Sequence, residues 1–345
     1  MTKDIWKNIY AVVFGLALFI VMVAVFELIL GFVFKPNEYV YKKRYPVNYS
    51  YFDEHGIRLI NPGTFKDKTV IRNRQTKEEK PLYDITISIN EHGNRITPVE
   101  NRQERTQQAL FFGCSFTFGE GVEDDQTVPY YFAKYANQYV PYNMGYHGDG
   151  PFDVLTKVEN YDIQERLDFS QGKIFYIIVN AHLYRLKGDM REMGWGFNRP
   201  YYEWDDGRIT RNGNFDTGRP FLTRSLHFLE KTNIMRVLNK QRFLPVTEHD
   251  YLFMAETIKR IFTRFDEQFP KFEKYLVFYP ENQKYNMYYH EVIKYLEDSD
   301  IKILNYDELF DQGEEQYQIV GDGHPTPLAN ELVAKQLVKD LELNK

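Results

Sequence analysis

The chain has 345 residues, of which 43% are hydrophobic, 27% charged and 17% aromatic, and its formal net charge is −6. This composition is typical of a folded globular protein, and the negative charge argues against a general nucleic-acid-binding surface. The one cysteine, Cys114, excludes an intrachain disulfide framework and a cysteine-based zinc site. The residues indicate no cofactor and no metal cluster.

Residues 9–34 form an apolar run that only Glu27 interrupts. A helix of about 20 apolar residues crosses the hydrocarbon core of a bilayer. Because the run is longer than the core of a signal peptide and no clear cleavage site follows, we predict an uncleaved anchor over residues 1–34. Glu27 either lies near the membrane interface or contacts a helix of a membrane partner protein.

The orientation of this anchor is ambiguous from charge alone. Basic residues lie on both sides of the span, and more of them follow it, at Lys35, Lys42, Lys43 and Arg44, than precede it, at Lys3 and Lys7. The local count places the C-terminal side in the cytoplasm, although large domains translocate regardless of such counts.

The chain after the anchor changes character near residue 109. Residues 35–108 are polar and tyrosine-rich, and we expect a stalk and lead-in with short strands, one of them at residues 84–89. From residue 109 to 345, apolar strands at 110–113, 139–143, 174–179, 275–279 and 301–304 alternate with helices at 127–135, 152–167, 249–269, 285–296 and 327–343. This alternation predicts an α/β fold with a doubly wound, mainly parallel sheet covered by helices on both faces.

Residues 186–229 break the alternation and are interpreted as an insertion over one end of the sheet. The insertion is rich in glycine, arginine, asparagine and aromatic residues. Its two tryptophans, Trp195 and Trp204, fit either a carbohydrate platform or a packed lid.

Four loops bring chemistry to the carboxyl edge of such a sheet, where ligands bind. Ser115 follows a short strand and is surrounded by glycines, which suits an exposed nucleophile beside a backbone amide. Gly145 and Asn180 follow the next two strands and offer an amide N–H and a carboxamide for an oxyanion. Asp322 and His324 precede the last helix and supply a carboxylate and an imidazole.

The Ser115 loop differs from two common loops. Thr117 stands where the nucleophile elbow of α/β-hydrolases has its second glycine, and no Gly-Lys-Ser/Thr sequence makes it a phosphate loop. Cys114 is a poor candidate nucleophile, because an unperturbed thiol is mostly protonated at neutral pH.

This combination resembles the SGNH/GDSL hydrolase superfamily over residues 110–343. The resemblance implies a flavodoxin-like fold with a five-stranded sheet, Ser115 as nucleophile, His324 as general base and Asp322 as its acid. It further implies that the Ser115 amide, Gly145 and Asn180 bind the oxyanion. The lead-in at residues 89–95 also resembles the segment before the first sheet strand in membrane-anchored bacterial members.

Three positions depart from the family pattern. Cys114 replaces the aspartate of Gly-Asp-Ser, and Ala181 follows Asn180 where typical members have aspartate. Asp322 stands two residues before His324 instead of three, so either its carboxylate shifts to serve or a backbone carbonyl orients the imidazole.

Weaker candidates surround these residues. His182, Arg185 and His147 could bind an anionic or polyol substrate, and structural hydrogen bonding is the alternative. The acidic residues between 120 and 125 are interpreted as a solvated loop.

The function implied by the resemblance is a membrane-anchored serine esterase or O-acyltransferase. Its substrates would be acyl esters, such as acetyl esters, of envelope carbohydrate or lipid, which favours an extracytoplasmic domain. The alternative is a non-catalytic SGNH-like scaffold in a membrane assembly, which Asp322, Ala181 and Glu27 favour. The sequence leaves the acyl group, the acceptor, and hydrolysis versus transfer open.

Overall fold

The computed structural model describes residues 2–34, 38–45, 49–205, 207–282 and 288–343. Its helices are α1 Thr2–Val33, α2 Ser115–Phe118, α3 Val128–Tyr135, α4 Pro151–Asn160, α5 Ala181–Lys187, α6 Met190–Met193, α7 Phe215–Gly218, α8 Pro220–Glu230, α9 Asn233–Val237, α10 Glu248–Gln268, α11 Tyr289–Lys294 and α12 Pro327–Asp340. Its strands are β1 Glu38–Tyr45, β2 Ser50–Phe52, β3 Arg58–Ile60, β4 Gly63–Asn73, β5 Glu79–Ile89, β6 Gln107–Phe112, β7 Tyr139–Asn143, β8 Gly172–Ile178, β9 Pro200–Asp205, β10 Arg208–Asn214, β11 Phe272–Phe278 and β12 Lys302–Asn305.

The central sheet has five strands in the order β12-β11-β8-β6-β7, and every neighbouring pair is parallel. The first strand along the chain, β6, lies between β7 and β8, so the winding direction reverses at β6. Ligands bind at such a switch point in open α/β sheets. The predicted doubly wound, five-stranded parallel sheet is confirmed.

Two apolar layers cover the sheet because successive strand residues point to opposite faces. Phe112 lies in the layer that includes α4 and α10, represented by Leu155 and Phe265. Its neighbour Phe111 lies in the opposite layer, against side chains of α3 and α12 such as Phe132. All these side chains are almost completely buried, which explains why the strands read as continuous apolar runs.

Helix boundaries differ from the sequence predictions mainly at C-termini. The helix expected over residues 152–167 ends at Asn160, where the Gln268 side chain donates hydrogen bonds to the carbonyls of Val158 (2.6 Å) and Tyr161 (3.0 Å). These bonds from α10 satisfy carbonyls that an α-helix end leaves unpaired. The helix expected over 285–296 is observed at Tyr289–Lys294, and residues 285–287 lie outside the described residues.

The lead-in packs directly on the α/β domain. Strands β1, β4 and β5 form an antiparallel sheet, and single bridges from Ile89 to Arg95 and from Arg95 to Asn143 link it to β7. The lead-in core includes Phe118, from the segment that follows Ser115. The described part of the lead-in therefore lies beside the predicted site.

Helix α1 contains a stretch, Ile5–Val33, that is long and apolar enough to cross a membrane, and its most apolar 18 residues have a mean hydropathy of 2.9 and no buried residue. A signal sequence meets the same criteria.

The insertion holds the β9–β10 hairpin and helices α6–α8, the last of which ends one residue beyond it, and α9 follows. Its two tryptophans differ in role. Trp204 packs on His249 and Phe253, with ring centroids 5.2 and 6.0 Å apart, whereas Trp195 is 44% exposed. Trp204 is therefore a packing residue, and only Trp195 remains available for a ligand.

Candidate active site

The turn that carries Ser115 is sterically constrained. Strand β6 ends at Phe112, α2 begins at Ser115, and Gly113 between them has a φ of 150°. A Cβ at Gly113 would lie 2.2 Å from Thr117 Oγ1 and 2.7 Å from the Ile177 carbonyl oxygen. Only glycine fits this position, which holds Ser115 at the carboxyl edge of the sheet, where its side chain is 3% exposed.

Ser115 and His324 are in hydrogen-bond contact. The Ser115 hydroxyl donates to His324 Nε2 over 2.9 Å, and His324 Nδ1 donates to Asp322 Oδ1. The Asp322 side chain is 5% exposed and that of His324 is 19% exposed. The three predicted groups therefore form a connected carboxylate–imidazole–hydroxyl chain, the arrangement that activates a serine hydroxyl.

The two-residue spacing between Asp322 and His324 is accommodated by a tight loop. Gly321 and Gly323 have φ values of 86° and 90°, which glycine adopts at little cost. The Asp322 and Gly323 amides both donate to the Ile319 carbonyl, and the Ile319 amide donates to the His324 carbonyl over 2.8 Å. The loop folds the Asp322 carboxylate back onto the imidazole, so no backbone carbonyl is needed there.

The two predicted oxyanion donors lie in loops at this edge. The Gly145 backbone packs on α2, since a Cβ there would lie 2.7 Å from the Phe118 amide nitrogen. The Gly145 amide donates to Asn143 Oδ1 over 3.1 Å, and an oxyanion role would require this bond to be exchanged. Asn180 Oδ1 accepts a hydrogen bond from the Tyr288 amide over 3.0 Å, which orients the carboxamide. Both roles stay predictions.

The three weaker candidates, His182, Arg185 and His147, differ in burial and in their contacts. His182 is fully buried, and burial lowers the pKa of its imidazole well below the usual value; its role in substrate binding stays a prediction. Arg185 is half-buried and donates to the Asp149 carbonyl over 2.8 Å. His147 is bonded through both ring nitrogens, to Glu120 and Tyr49. Substrate binding by Arg185 and His147 stays a prediction.

Glu120 lies between two imidazoles, which the sequence analysis missed. Its Oε2 accepts a hydrogen bond from His147 Nδ1 over 2.6 Å and lies 3.6 Å from His324 Nε2. The side chain is only 6% exposed. The Glu120 carboxylate is therefore close enough to interact electrostatically with the His324 ring.

The interpretation of residues 120–125 as a solvated loop is wrong, because the lead-in covers most of the loop. Glu123 accepts a hydrogen bond from the Thr86 amide over 3.0 Å, and Asp124 pairs with Arg95 over 2.8 Å. Asp125 is the exposed acidic residue of the segment.

Arg95 holds the backbone of the same loop. Its guanidinium donates to the carbonyls of Phe118 (3.0 Å) and Val122 (2.7 Å) and to that of Gly119. The Arg95 side chain is fully buried, and burial lowers its pKa although Asp124 opposes this effect. Arg95, the last residue of the lead-in segment 89–95, therefore fixes the segment that carries Glu120.

A further carboxylate lies beside Asn180. Glu281 accepts a hydrogen bond from the Asn180 amide, and burial raises the pKa of Glu281 to about 7, with Arg185 acting in the opposite direction. The sequence offered no motif around Glu281, and it was not predicted.

No protein-family model matches the chain, and no curated protein sequence matches it. Among solved structures, a member of the lipolytic G-D-S-L family from Veillonella parvula is similar at 12% identity and a TM-score of 0.38, covering 68% of this chain and 97% of its own. An acetyl xylan esterase from the rumen bacterium Butyrivibrio proteoclasticus is similar at 14% identity and a TM-score of 0.40, covering 89% of this chain and 83% of its own.

A family two carbohydrate esterase from Cellvibrio japonicus is similar at 10% identity and a TM-score of 0.40, covering 89% of this chain and 100% of its own.

Proposed function

We propose that this protein is a membrane-anchored serine esterase of the SGNH type that forms an acyl-enzyme at Ser115. The observation that carries the proposal is the 2.9 Å hydrogen bond from Ser115 Oγ to His324 Nε2, with Asp322 bonded to the other ring nitrogen. The two-residue spacing between Asp322 and His324 favoured a non-catalytic scaffold. It no longer argues against catalysis, because the loop with Gly321 and Gly323 brings the carboxylate to the imidazole.

The reaction proceeds in two steps, acylation and deacylation of Ser115. Ser115 Oγ attacks the ester carbonyl while its proton passes to His324 Nε2, and Asp322 stabilises the resulting imidazolium. The Ser115 amide and the carboxamide of Asn180 stabilise the oxyanion. The tetrahedral intermediate expels the alcohol, which takes the proton from His324, and water or an acceptor hydroxyl then attacks the acyl group with His324 again as base.

The substrate we propose is an acyl ester, such as an acetyl ester, of an envelope carbohydrate. Trp195 supports this assignment, because it is exposed and lies against the loop after β7: a Cβ on Gly148 would meet its ring at 2.8 Å. The Arg199 guanidinium lies over this ring, 5.0 Å from its centroid, and donates to the His147 carbonyl over 2.8 Å. Aromatic faces at a site edge suit the apolar faces of sugar rings.

Anchoring through α1 is part of the proposal, and we place the α/β domain outside the cytoplasm. The basic residues after the span oppose this orientation, whereas the resemblance to envelope enzymes favours it. A reporter fused to the C-terminus should be active only outside the cytoplasm, and activity confined to the cytoplasm would overturn both the localisation and the envelope substrate.

Covalent labelling tests the chemistry. The full chain should react with a fluorophosphonate probe, and Ser115→Ala should abolish labelling while the exposed-serine control Ser170→Ala keeps it. Equal labelling of the Ser115→Ala variant would exclude the proposed nucleophile. Release of acetate from an acetylated oligosaccharide, compared with transfer to a second sugar, then distinguishes hydrolysis from acyl transfer.

A further inference from the structure

Helix α8, at the end of the insertion, is followed by α9, and the two helices with the residues up to 243 form what we term the α8–α9 hairpin. Large apolar side chains are exposed along it: Phe221 at 86%, Phe228 at 69%, Leu238 at 60% and Phe243 at 52%, with Leu222 and Val237 less exposed. These residues form the apolar patch. Phe221 and Phe228 are seven residues apart and therefore lie on one face of α8, whereas Thr223 and Leu226 face the protein core.

The hairpin is joined to the anchor helix by specific hydrogen bonds. The Glu27 carboxylate accepts hydrogen bonds from the amides of Asn233 and Ile234, the latter over 3.0 Å. The Asn233 side chain donates to the Glu27 carbonyl over 3.1 Å, and a Cβ at Gly31 would lie 2.6 Å from its nitrogen. Glu27 therefore caps the first turn of α9, which lies against the last two turns of α1.

The position of Glu27 along α1 sets the level of the hairpin relative to a membrane. Residues 9–26, which carry no charge, extend about 27 Å as a helix at about 1.5 Å per residue, close to the roughly 30 Å of the hydrocarbon core. A bilayer spanned by this stretch has its interface near Glu27. The N-terminus of α9 then lies at that interface.

Charge in the hairpin also suits a membrane surface. Residues 220–243 contain one acidic residue, Glu230, and five basic ones, Arg224, Lys231, Arg236, Lys240 and Arg242, in a chain whose net charge is −6. Two of the basic residues, Arg224 and Arg242, pair with Asp216 and Glu192. A cavity of about 460 Å³ is lined by Lys231, Arg236 and Lys240 together with Arg191 and Glu230. Basic residues beside an apolar face attract anionic lipid headgroups.

We propose that the α8–α9 hairpin lies in the interface of the membrane that α1 spans, with its apolar patch among the acyl chains and its basic side chains at anionic headgroups. The proposal rests on the proposed anchoring by α1, because only a membrane that α1 spans places its interface near Glu27 and the hairpin. Its consequence is that the α/β domain is held against the bilayer by two elements of the chain.

Depth-dependent quenching tests the proposal in the full chain reconstituted into vesicles of phosphatidylcholine and phosphatidylglycerol. An environment-sensitive fluorophore is attached to Phe228→Cys or Leu238→Cys, while native Cys114, 1% exposed, stays unlabelled. Phe19→Cys in α1 is the membrane reference, and Lys339→Cys on α12, against the opposite face of the sheet, is the aqueous reference. Circular dichroism confirms that each variant is folded.

We expect lipid-borne nitroxide to quench the probes at 19, 228 and 238 and not the probe at 339, which aqueous iodide should quench instead. Iodide quenching at 228 and 238 with lipid quenching at 19 would overturn the inference and leave the anchor intact. Protection at 228 and 238 from both quenchers would also overturn it, since a protein partner would then cover the patch.

Two further outcomes concern the anchor and the headgroups. Loss of lipid quenching at position 19 itself would reject the proposed anchoring. Replacing phosphatidylglycerol with phosphatidylcholine should reduce lipid quenching at position 238, and an unchanged signal would reject the role of anionic headgroups.

Discussion

Two carboxylate–imidazole–hydroxyl chains lie side by side near the Ser115 turn. One joins Asp322, His324 and Ser115, and the other joins Glu120, His147 and Tyr49, where the Tyr49 hydroxyl donates to His147 Nε2 over 2.7 Å. Their connectivity is the same, but their surroundings differ. Tyr49 belongs to the lead-in core, with its ring 5.1 Å from that of Phe65, whereas Ser115 stands at the carboxyl edge of the sheet.

The difference shows that such a chain does not by itself define a catalytic site. Ser115 stands in the turn at the carboxyl edge of the sheet, where ligands bind in such folds, whereas Tyr49 belongs to the core of the lead-in. We therefore interpret the Ser115 chain as catalytic and the Glu120 chain as positioning. The predictions below test this division, from the largest expected effect to the smallest.

Removing the base should have the largest effect. His324→Ala should lower kcat for p-nitrophenyl acetate by roughly 10⁴-fold or more, since Ser115 then has no proton acceptor. The matched control is His290→Ala, a 49% exposed histidine paired with Asp307, which should keep full activity. Unchanged turnover in His324→Ala would reject the serine-hydrolase mechanism.

Asp322→Asn tests the orienting acid. We expect a loss approaching the roughly 10⁴-fold seen for the equivalent change in serine proteases, because the amide favours the wrong imidazole tautomer. Melting curves should match those of the wild type. Nearly full activity would mean that another group orients His324, and would demote Asp322 without removing the nucleophile.

Glu120→Gln tests the positioning role of the second chain. The charge near His324 Nε2 is lost, and we expect kcat/KM to fall by roughly tenfold, equivalent to about 1.4 kcal/mol of transition-state stabilisation. Asp125→Asn, an exposed change in the same loop, is the charge control and should have no effect. A loss as large as that of His324→Ala would contradict the division between the two chains.

Tyr49→Phe should affect stability more than turnover. It removes the hydrogen bond to His147, and we expect the free energy of unfolding to fall by about 1 kcal/mol while kcat stays within a few-fold. Denaturant titration and p-nitrophenyl acetate kinetics measure the two quantities. A collapse of kcat without loss of stability would mean that the second chain takes part in proton transfer.

Glu281→Gln should flatten the pH dependence of stability. Because burial raises the pKa of Glu281 to about 7 in the folded protein, against about 4.3 for an unfolded glutamate, the folded state binds more protons between these values. Stability from this group is therefore lost as pH rises from about 4.3 to 7. Melting temperatures at pH 5 and pH 8 should differ less in the variant, and an identical difference would contradict the assignment.

The sheet was predictable because each of its strands is an apolar run, a pattern that burial on both faces produces. Ser115, Asp322 and His324 were predictable as neighbours because all three stand in loops at one edge. The helix end at Asn160 was not, since it depends on Gln268, a residue more than a hundred positions later. Local pattern carries no information about such a cap.

The prediction of a solvated loop at residues 120–125 was wrong for a related reason. Sequence alone gives Glu120 and Asp124 the appearance of a solvated turn, and only the docked lead-in, through Thr86 and Arg95, buries the segment. Likewise, nothing local distinguishes His182, which is buried, from a histidine at a site edge.

The buried Arg95 sets a limit on how a soluble form of this protein can be made. A chain that starts near residue 105 would retain the whole five-stranded sheet and all three residues of the Ser115 chain. It would also remove the Arg95 bonds from the carbonyls of Phe118, Gly119 and Val122. The Phe118 carbonyl keeps a bond from Asn143 Nδ2 and the Gly119 carbonyl one from the Val122 amide, and a buried carbonyl left without a donor costs about 1–3 kcal/mol. Truncation for secretion or crystallisation therefore belongs between α1 and β1, where the apolar helix is removed and all lead-in strands are kept.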